Sequence, residues 1–175
     1  MGNTLLEEVV YKIETTRCGT WRRYGYVDGT SYQEFTSHKV LFGLPLVHYT
    51  CGRNPETGRR RVAKGIVAVG RLAFGFVAIG HASLGLIAIG QLALGVAFGL
   101  GQLGTGAIAL GQFALGPGLA FGQFAAGYVA AGQFVAGGYG LGQLGLGKYL
   151  WTMHRSDPEA VSLFKSLPLI GGLLP

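Results

Sequence analysis

From Leu72 to Gly147 the sequence contains no Asp, Glu, Lys or Arg, a run of 76 residues. A carboxylate acid–base pair cannot be assembled from that stretch, nor can a calcium-binding roll whose repeats supply Asp ligands. The stretch also has no cysteine, its one histidine is His81, and its one threonine is Thr105. The cysteine-stapled, threonine-laddered coils of small insect antifreeze proteins are thereby set aside. Cysteine is scarce throughout. Cys18 and Cys51 lie 33 residues apart with His38 and His48 between them, and no Cys-x-x-Cys pair is present. Zinc is not expected from that spacing, whereas two packed, reduced thiols are. The opening MGNTLLEEVV lacks a basic segment followed by an apolar core, and Leu6 occupies the place where a myristoylation pattern needs Ser or Thr. A cytoplasmic location is the expectation, with association to a membrane surface as its variant.

What charge there is lies at the front. Residues 1–64 hold ten of the 14 Lys/Arg and six of the eight acids, and Arg59, Arg60, Arg61 and Lys64 form the densest cluster. Such a run suits phosphates or anionic head groups, or simply solvates a turn. No nucleic-acid-binding motif accompanies it, so nucleic acid is not an expected partner.

The 32 glycines dominate what remains. They recur at 65, 70, 75, 80, 85, 90 and 95, at 101, 106, 111 and 116, and at 122, 127, 132, 137, 142 and 147. The step is five, apart from six-residue units beginning at Gly95 and Gly116. A rhythm of ten overlies it, because alternate glycines are followed by Arg71, His81, Gln91, Gln102, Gln112, Gln123, Gln133 and Gln143. The intervening units open with Phe76, Leu86, Val96, Ala107, Pro117, Tyr128, Gly138 and Lys148. In a unit such as Gly90-Gln91-Leu92-Ala93-Leu94, the third and fifth positions are large and apolar and the fourth is usually Ala. That alternation is a strand's, and glycine suits a corner because it reaches φ > 0 without penalty. Short strands and corners, many times repeated, make a solenoid.

A bundle of membrane-spanning helices is the rival. A step of five advances a helix by about 500°, so the glycines would spiral around it and form no packing seam. The array places 23 glycines in 83 residues, and a polar residue every ten or eleven positions interrupts any apolar span.

Coils of ten residues with two sides, or of twenty with four, both fit a step of five. The two long units begin 21 residues apart, which would stack their extra residues on successive twenty-residue turns. That favours the four-sided coil, its interior filled by Leu, Ile, Val and Phe. Two faces would then carry Gln or Arg, the Gln side chains stacking in ladders. The other two would show an apolar strip through Phe76, Leu86, Val96 and Tyr128. The expected organisation is a β-rich cap over 1–64, the array over 65–151, and a helix and tail over 152–175. Ser156-Asp157-Pro158-Glu159 reads as a helix start, and Ala160, Leu163, Phe164 and Leu167 share one face that would close the last coil before Pro168.

Three segments, Gly43-Leu44-Pro45-Leu46-Val47-His48, Pro55-Glu56-Thr57-Gly58-Arg59 and Ala63-Lys64-Gly65-Ile66-Val67-Ala68-Val69-Gly70, resemble bacterial glycine-rich, apolar repeat proteins of unknown function. The ending Asp157-Pro158-Glu159-Ala160-Val161 is similar as well. This resemblance spans residue 35 onward and implies no site. Pentapeptide-repeat solenoids share the architecture alone, since their Ala-Asp/Asn-Leu signature is missing. Gly99-Leu100-Gly101-Gln102-Leu103-Gly104 matches GxGxxG by accident, with no βαβ unit around it. The sequence therefore points to an all-β solenoid, non-enzymatic and without a cofactor. It would assemble with copies of itself into homo-oligomers or filaments, the strip residues and the six Gln forming its surface; contact with a membrane is the alternative.

Overall fold

The computed structural model describes residues 9–167. The readings placed on the first residues and on Pro168 fall outside that range. The chain is an all-β solenoid with one helix among the described residues, and it divides by its contacts into two compact units, Met1–Gly90 and Gln91–Pro175.

The first unit begins as an antiparallel sheet of β1 (Lys12–Thr15), β2 (Gly19–Gly25), β3 (Ser31–Ser37) and β6 (Val47–Cys51). The small hairpin of β4 (Val40–Leu41) and β5 (Leu44–Pro45) interrupts it. The turn before β3 is closed by Asp28, whose Oδ1 accepts from the Thr30 amide at 2.9 Å and its hydroxyl at 2.6 Å. Asn54 organises the next turn, its Oδ1 accepting from the Glu56 amide at 2.8 Å and its carbonyl from the Gly58 amide at 2.8 Å. At β6 the sheet changes character. It pairs with β7 (Ala63–Gly70) in parallel, Val47 opposite Val67, and the first coil thereby gains a covered edge.

Coil size follows from the register. β7 pairs with β8 (Leu72–Thr105) as Ala63 to Ala73 and Val67 to Val77, a displacement of ten residues. In the second unit the later part of β8 pairs with β9 (Ile108–Leu115) as Phe98 to Ile108, again ten. β9 pairs with β10 (Leu119–Trp151) as Ile108 to Leu119, where the long unit at Gly116 makes the displacement eleven. The expected four-sided coil of twenty residues is corrected. Each coil has two sides of about five residues, and both long units fall on the same side whichever coil is assumed.

The interior is corrected with it. Large side chains were expected inside, but the inward place belongs to the small fourth position. Ala68, Ala78, Ala88, Ala93, Ala109 and Ala120 are completely buried, while Leu92, Leu94, Phe113 and Phe124 are exposed. Two five-residue strands back to back leave room for a methyl group from each, so leucine must point out. A pleat flipped by one residue exchanges every inner and outer side chain. Only near the last coils does the interior hold larger groups, Val135 and Leu150, and there Gly140 and Gly145 lie against them in place of alanine.

The corner glycines are also needed for another reason than expected. Among the described residues of the array only Gly106 has a positive φ, 151°. A Cβ on Gly80 would instead fall on the carbonyl oxygen of Gly70, and one on Gly122 on that of Gly111. Glycine is required because successive turns approach that closely at the corner.

The helix α1 (Pro158–Ser166) starts where the sequence placed it, with Asp157 as N-cap, Pro158 in the first turn and Glu159 beside it. The Asp157 carboxylate does not cap the helix. Its Oδ2 accepts from the Leu150 amide at 2.7 Å, and its Oδ1 from Arg155 Nε at 3.1 Å. Ala160 and Phe164 are fully buried against Val129, with Leu163 and Leu167 partly so, which is the face predicted. Its position differs: α1 lies along the flank of several coils, over Leu119, Val129, Tyr139 and Tyr149, and not across the end of the last.

Candidate assembly surface

Turning the pleat inside out transfers the apolar payload of the repeat to its surface. In the second unit the side formed by the Gln-bearing strands presents Leu92 and Leu94, then Phe113 and Leu115, Phe124, Phe134, and Leu144 and Leu146, all exposed. The in-register coils stack the aromatic rings. Phe113 lies on Phe124 with centroids 4.9 Å apart and planes 4° apart, and Phe124 on Phe134 at 4.9 Å and 8°. Beside this column Ala126 and Ala136 leave a shallow apolar hollow of about 420 Å³, edged by Leu115 and Leu146. Phe124 is 43% exposed although it stacks on a ring at either side, and Leu146 is 79% exposed.

The six predicted glutamines fall along this side. Gly101 pairs with Gly111 and Gly111 with Gly122, which brings Gln102, Gln112 and Gln123 into one row, and Gln91, Gln133 and Gln143 are likewise exposed. A primary amide both donates and accepts, so such a row is chemically complementary to its own copy. The expectation of polar residues on two faces is corrected, since a two-sided coil gathers them on one. No formal charge lies on this side anywhere within residues 91–147.

The four strip residues are exposed as predicted. Phe76 and Leu86 belong to the first unit, and Val96 (69% exposed) and Tyr128 (62% exposed) to the second. They open the strands of the opposite side. Sequence reasoning missed Leu92, Phe113, Phe124 and Phe134, having assigned them to the core. One signal was present: the fourth position is nearly always Ala while its neighbours range over Leu, Ile, Val and Phe, and tolerance of that kind belongs to a surface.

A second cluster lies in the first unit. Glu34, 3% exposed, accepts from Tyr32 Oη at 3.0 Å, His48 Nε2 at 3.0 Å and an Arg61 nitrogen at 3.0 Å. The Lys64 amide donates to His48 Nδ1 at 2.8 Å, which leaves the proton of the neutral ring on Nε2. Both ring nitrogens are engaged, so His48 offers no free base to the adjoining cavity of about 490 Å³. Burial pushes the Tyr32 hydroxyl up to about 12, helped by the Glu34 charge beside it. Burial works to raise the Glu34 carboxyl as well, but hydrogen bonds from His48 and Tyr32 and the Arg61 charge outweigh it and hold it below its ordinary 4.5.

Stability from Glu34 is therefore fully present above the ordinary glutamate range and is lost as pH falls through its lower folded value. Acid titration of the parent and Glu34→Gln by circular dichroism, compared as a difference, should show this component absent from the variant. Identical acid profiles would contradict it. The comparison is needed because Glu14, Asp28 and Asp157 are also held low by their partners.

Arg61 is thus committed to Glu34, and the outward basic cluster reduces to Arg59, Arg60 and Lys64, all exposed. Cys18 and Cys51 are free and exposed, contrary to the expectation of packed thiols. Among the described residues no group of three or more His, Cys, Asp or Glu is placed to hold a metal ion, and no helix is long and apolar enough to cross a membrane. No family model, curated protein or solved structure matches the chain.

Proposed function

We propose that this chain is a non-enzymatic assembly protein that associates with copies of itself through the apolar, Gln-edged side of residues 91–147. The observation that carries the reading is the exposed, uncharged column of stacked Phe113, Phe124 and Phe134 with its leucine neighbours. Coils rise by about 4.8 Å, so six of them and a strand three residues wide make a face of roughly 300 Å². That is as large as the largest apolar patch of an ordinary monomer, and such patches mark contacts. Two copies meeting there would bury roughly 600 Å², under half a standard interface, so the association is reversible and depends on concentration. A second copy offers what the face requires: ridges at the same spacing, a matching amide row, and no like charge in opposition. The resemblance to bacterial glycine-rich repeat proteins adds no activity to this reading.

Replacing Phe124 with Glu places a charge at the centre of the column. Sedimentation equilibrium over a wide concentration range should show parent chains associating and Phe124→Glu remaining single chains. A parent that is strictly monomeric at its solubility limit would refute the reading.

One observation favours a peripheral membrane role instead. The first unit carries eleven Lys/Arg against six Asp/Glu, with Arg59, Arg60 and Lys64 outermost. Basic residues close to an anionic leaflet contribute about 1 kcal/mol each. Flotation with phosphatidylserine vesicles separates the two readings: a self-associating soluble chain stays at the bottom of the gradient, whereas a lipid-bound one rises and is released by salt.

A further inference from the structure

We infer that α1 is a guard over the second side of the coils, holding assembly through residues 91–167 to closed pairs. The inference rests on the proposed pairing through the Gln-edged side. The two sides of this unit are built alike, from rows of aliphatic and aromatic residues in a ten- or eleven-residue register. They differ in cover. Phe113, Phe124, Phe134 and Leu144 are exposed, whereas Leu119, Val129, Tyr139 and Tyr149 lie beneath α1. The helix occupies the place that another copy's rows would take.

Growth along the coil stack is also closed at the last strand. Trp151 forms an antiparallel bridge to Ser156, the Leu150 amide donates to Asp157 at 2.7 Å, and an Arg155 nitrogen donates to the Lys148 carbonyl at 2.9 Å. Val96, Leu100, Ile108 and Tyr128 of the guarded side stay exposed around the helix, but its rows from Leu119 to Tyr149 are blocked. Two copies therefore meet through the one side that is open along its length, and the contact closes on itself. With both sides open, the two kinds of contact alternate and the chain of copies has no end. A nine-residue helix is too short to persist in isolation, so α1 stays formed through its docking, and two fully buried side chains, Ala160 and Phe164, anchor it. Loss of that anchor converts a pairing protein into a polymerising one.

The test uses the full chain as parent, Phe164→Glu, Ala160→Glu, and Phe124→Glu/Phe164→Glu. Hydrogen exchange over 158–166 reports undocking, and far-UV circular dichroism reports retention of the strands. Light scattering across a concentration series should show the parent levelling off at pairs. Phe164→Glu should show a rise of roughly twofold or more beyond that plateau, without saturation. The double variant, with one side blocked and the other open, should return to pairs, which separates ordered growth from general stickiness. Ala160→Glu stands in should Phe164→Glu lose its strands. A helix that undocks without any gain in mass over the parent overturns the inference, as does a double variant that still aggregates. A monomeric parent would refute the pairing proposal; Phe164→Glu would then form pairs if α1 guards the second side, and a Phe164→Glu that stays single would overturn the inference as well.

Discussion

Ala120→Leu should unfold the coils around it, whereas the same leucine one position away is native. Ala120 is completely buried, and Leu119 before it points outward beneath α1. An interior that accepts one methyl from each side has no space for three further carbons. Overpacking in a well-packed core costs about 1–3 kcal/mol, and a wall of parallel coils that cannot separate places this case at or above the upper end. For a unit of this size about 3 kcal/mol corresponds to a fall in Tm of roughly 12 °C or more. Leu94→Ala, on an exposed position, should cost well under half as much. Thermal melts of the two variants are sufficient. A stable Ala120→Leu with a crippled Leu94→Ala would mean that the pleat faces the other way.

Glu34→Ala should be the most damaging change in the first unit. It leaves the Arg61 guanidinium, the Tyr32 hydroxyl and the His48 Nε2–H without their common acceptor at a site only 3% exposed. The Arg61 side chain is 46% exposed and is solvated in the variant, so the penalty falls on the buried Tyr32 and His48 donors, about 1–3 kcal/mol for polar groups left without an acceptor. The consequence is local in origin, because Glu34 lies on β3 and His48 on β6, the strand that joins the antiparallel sheet to the first parallel coil. Denaturant unfolding should show the lower midpoint, with Glu34→Gln intermediate because an amide retains part of the hydrogen bonding. A Glu34→Ala midpoint within error of the parent would show that the cluster adds nothing to stability, as buried ion pairs sometimes do not.

Several features were legible in the residues alone because each rests on a local rule. The step of five with strand alternation identified short parallel strands, and the polar residue at every second corner located Gln91 through Gln143 on the outside. Asp157, Pro158 and Glu159 marked the start of α1, and Ala160, Leu163, Phe164 and Leu167 its buried face. The Glu34 cluster was invisible, since its members are scattered from Tyr32 to Arg61 and meet only when β3 and β6 pair.

Coil size and core composition were decided by tertiary structure, and they are one question. A period of five is unchanged by doubling the coil, and an alternation of two is unchanged by exchanging inside with outside. A four-sided coil has space for leucine within and would put alanine out. A two-sided coil has space only for methyl groups and reverses every side chain. Volume separates the two, and it is a property of the closed coil that no single unit contains. The same holds for α1: its sequence specifies an amphipathic helix, but which surface it covers depends on where the coils, by turning leucine and phenylalanine outward, have created an apolar flank.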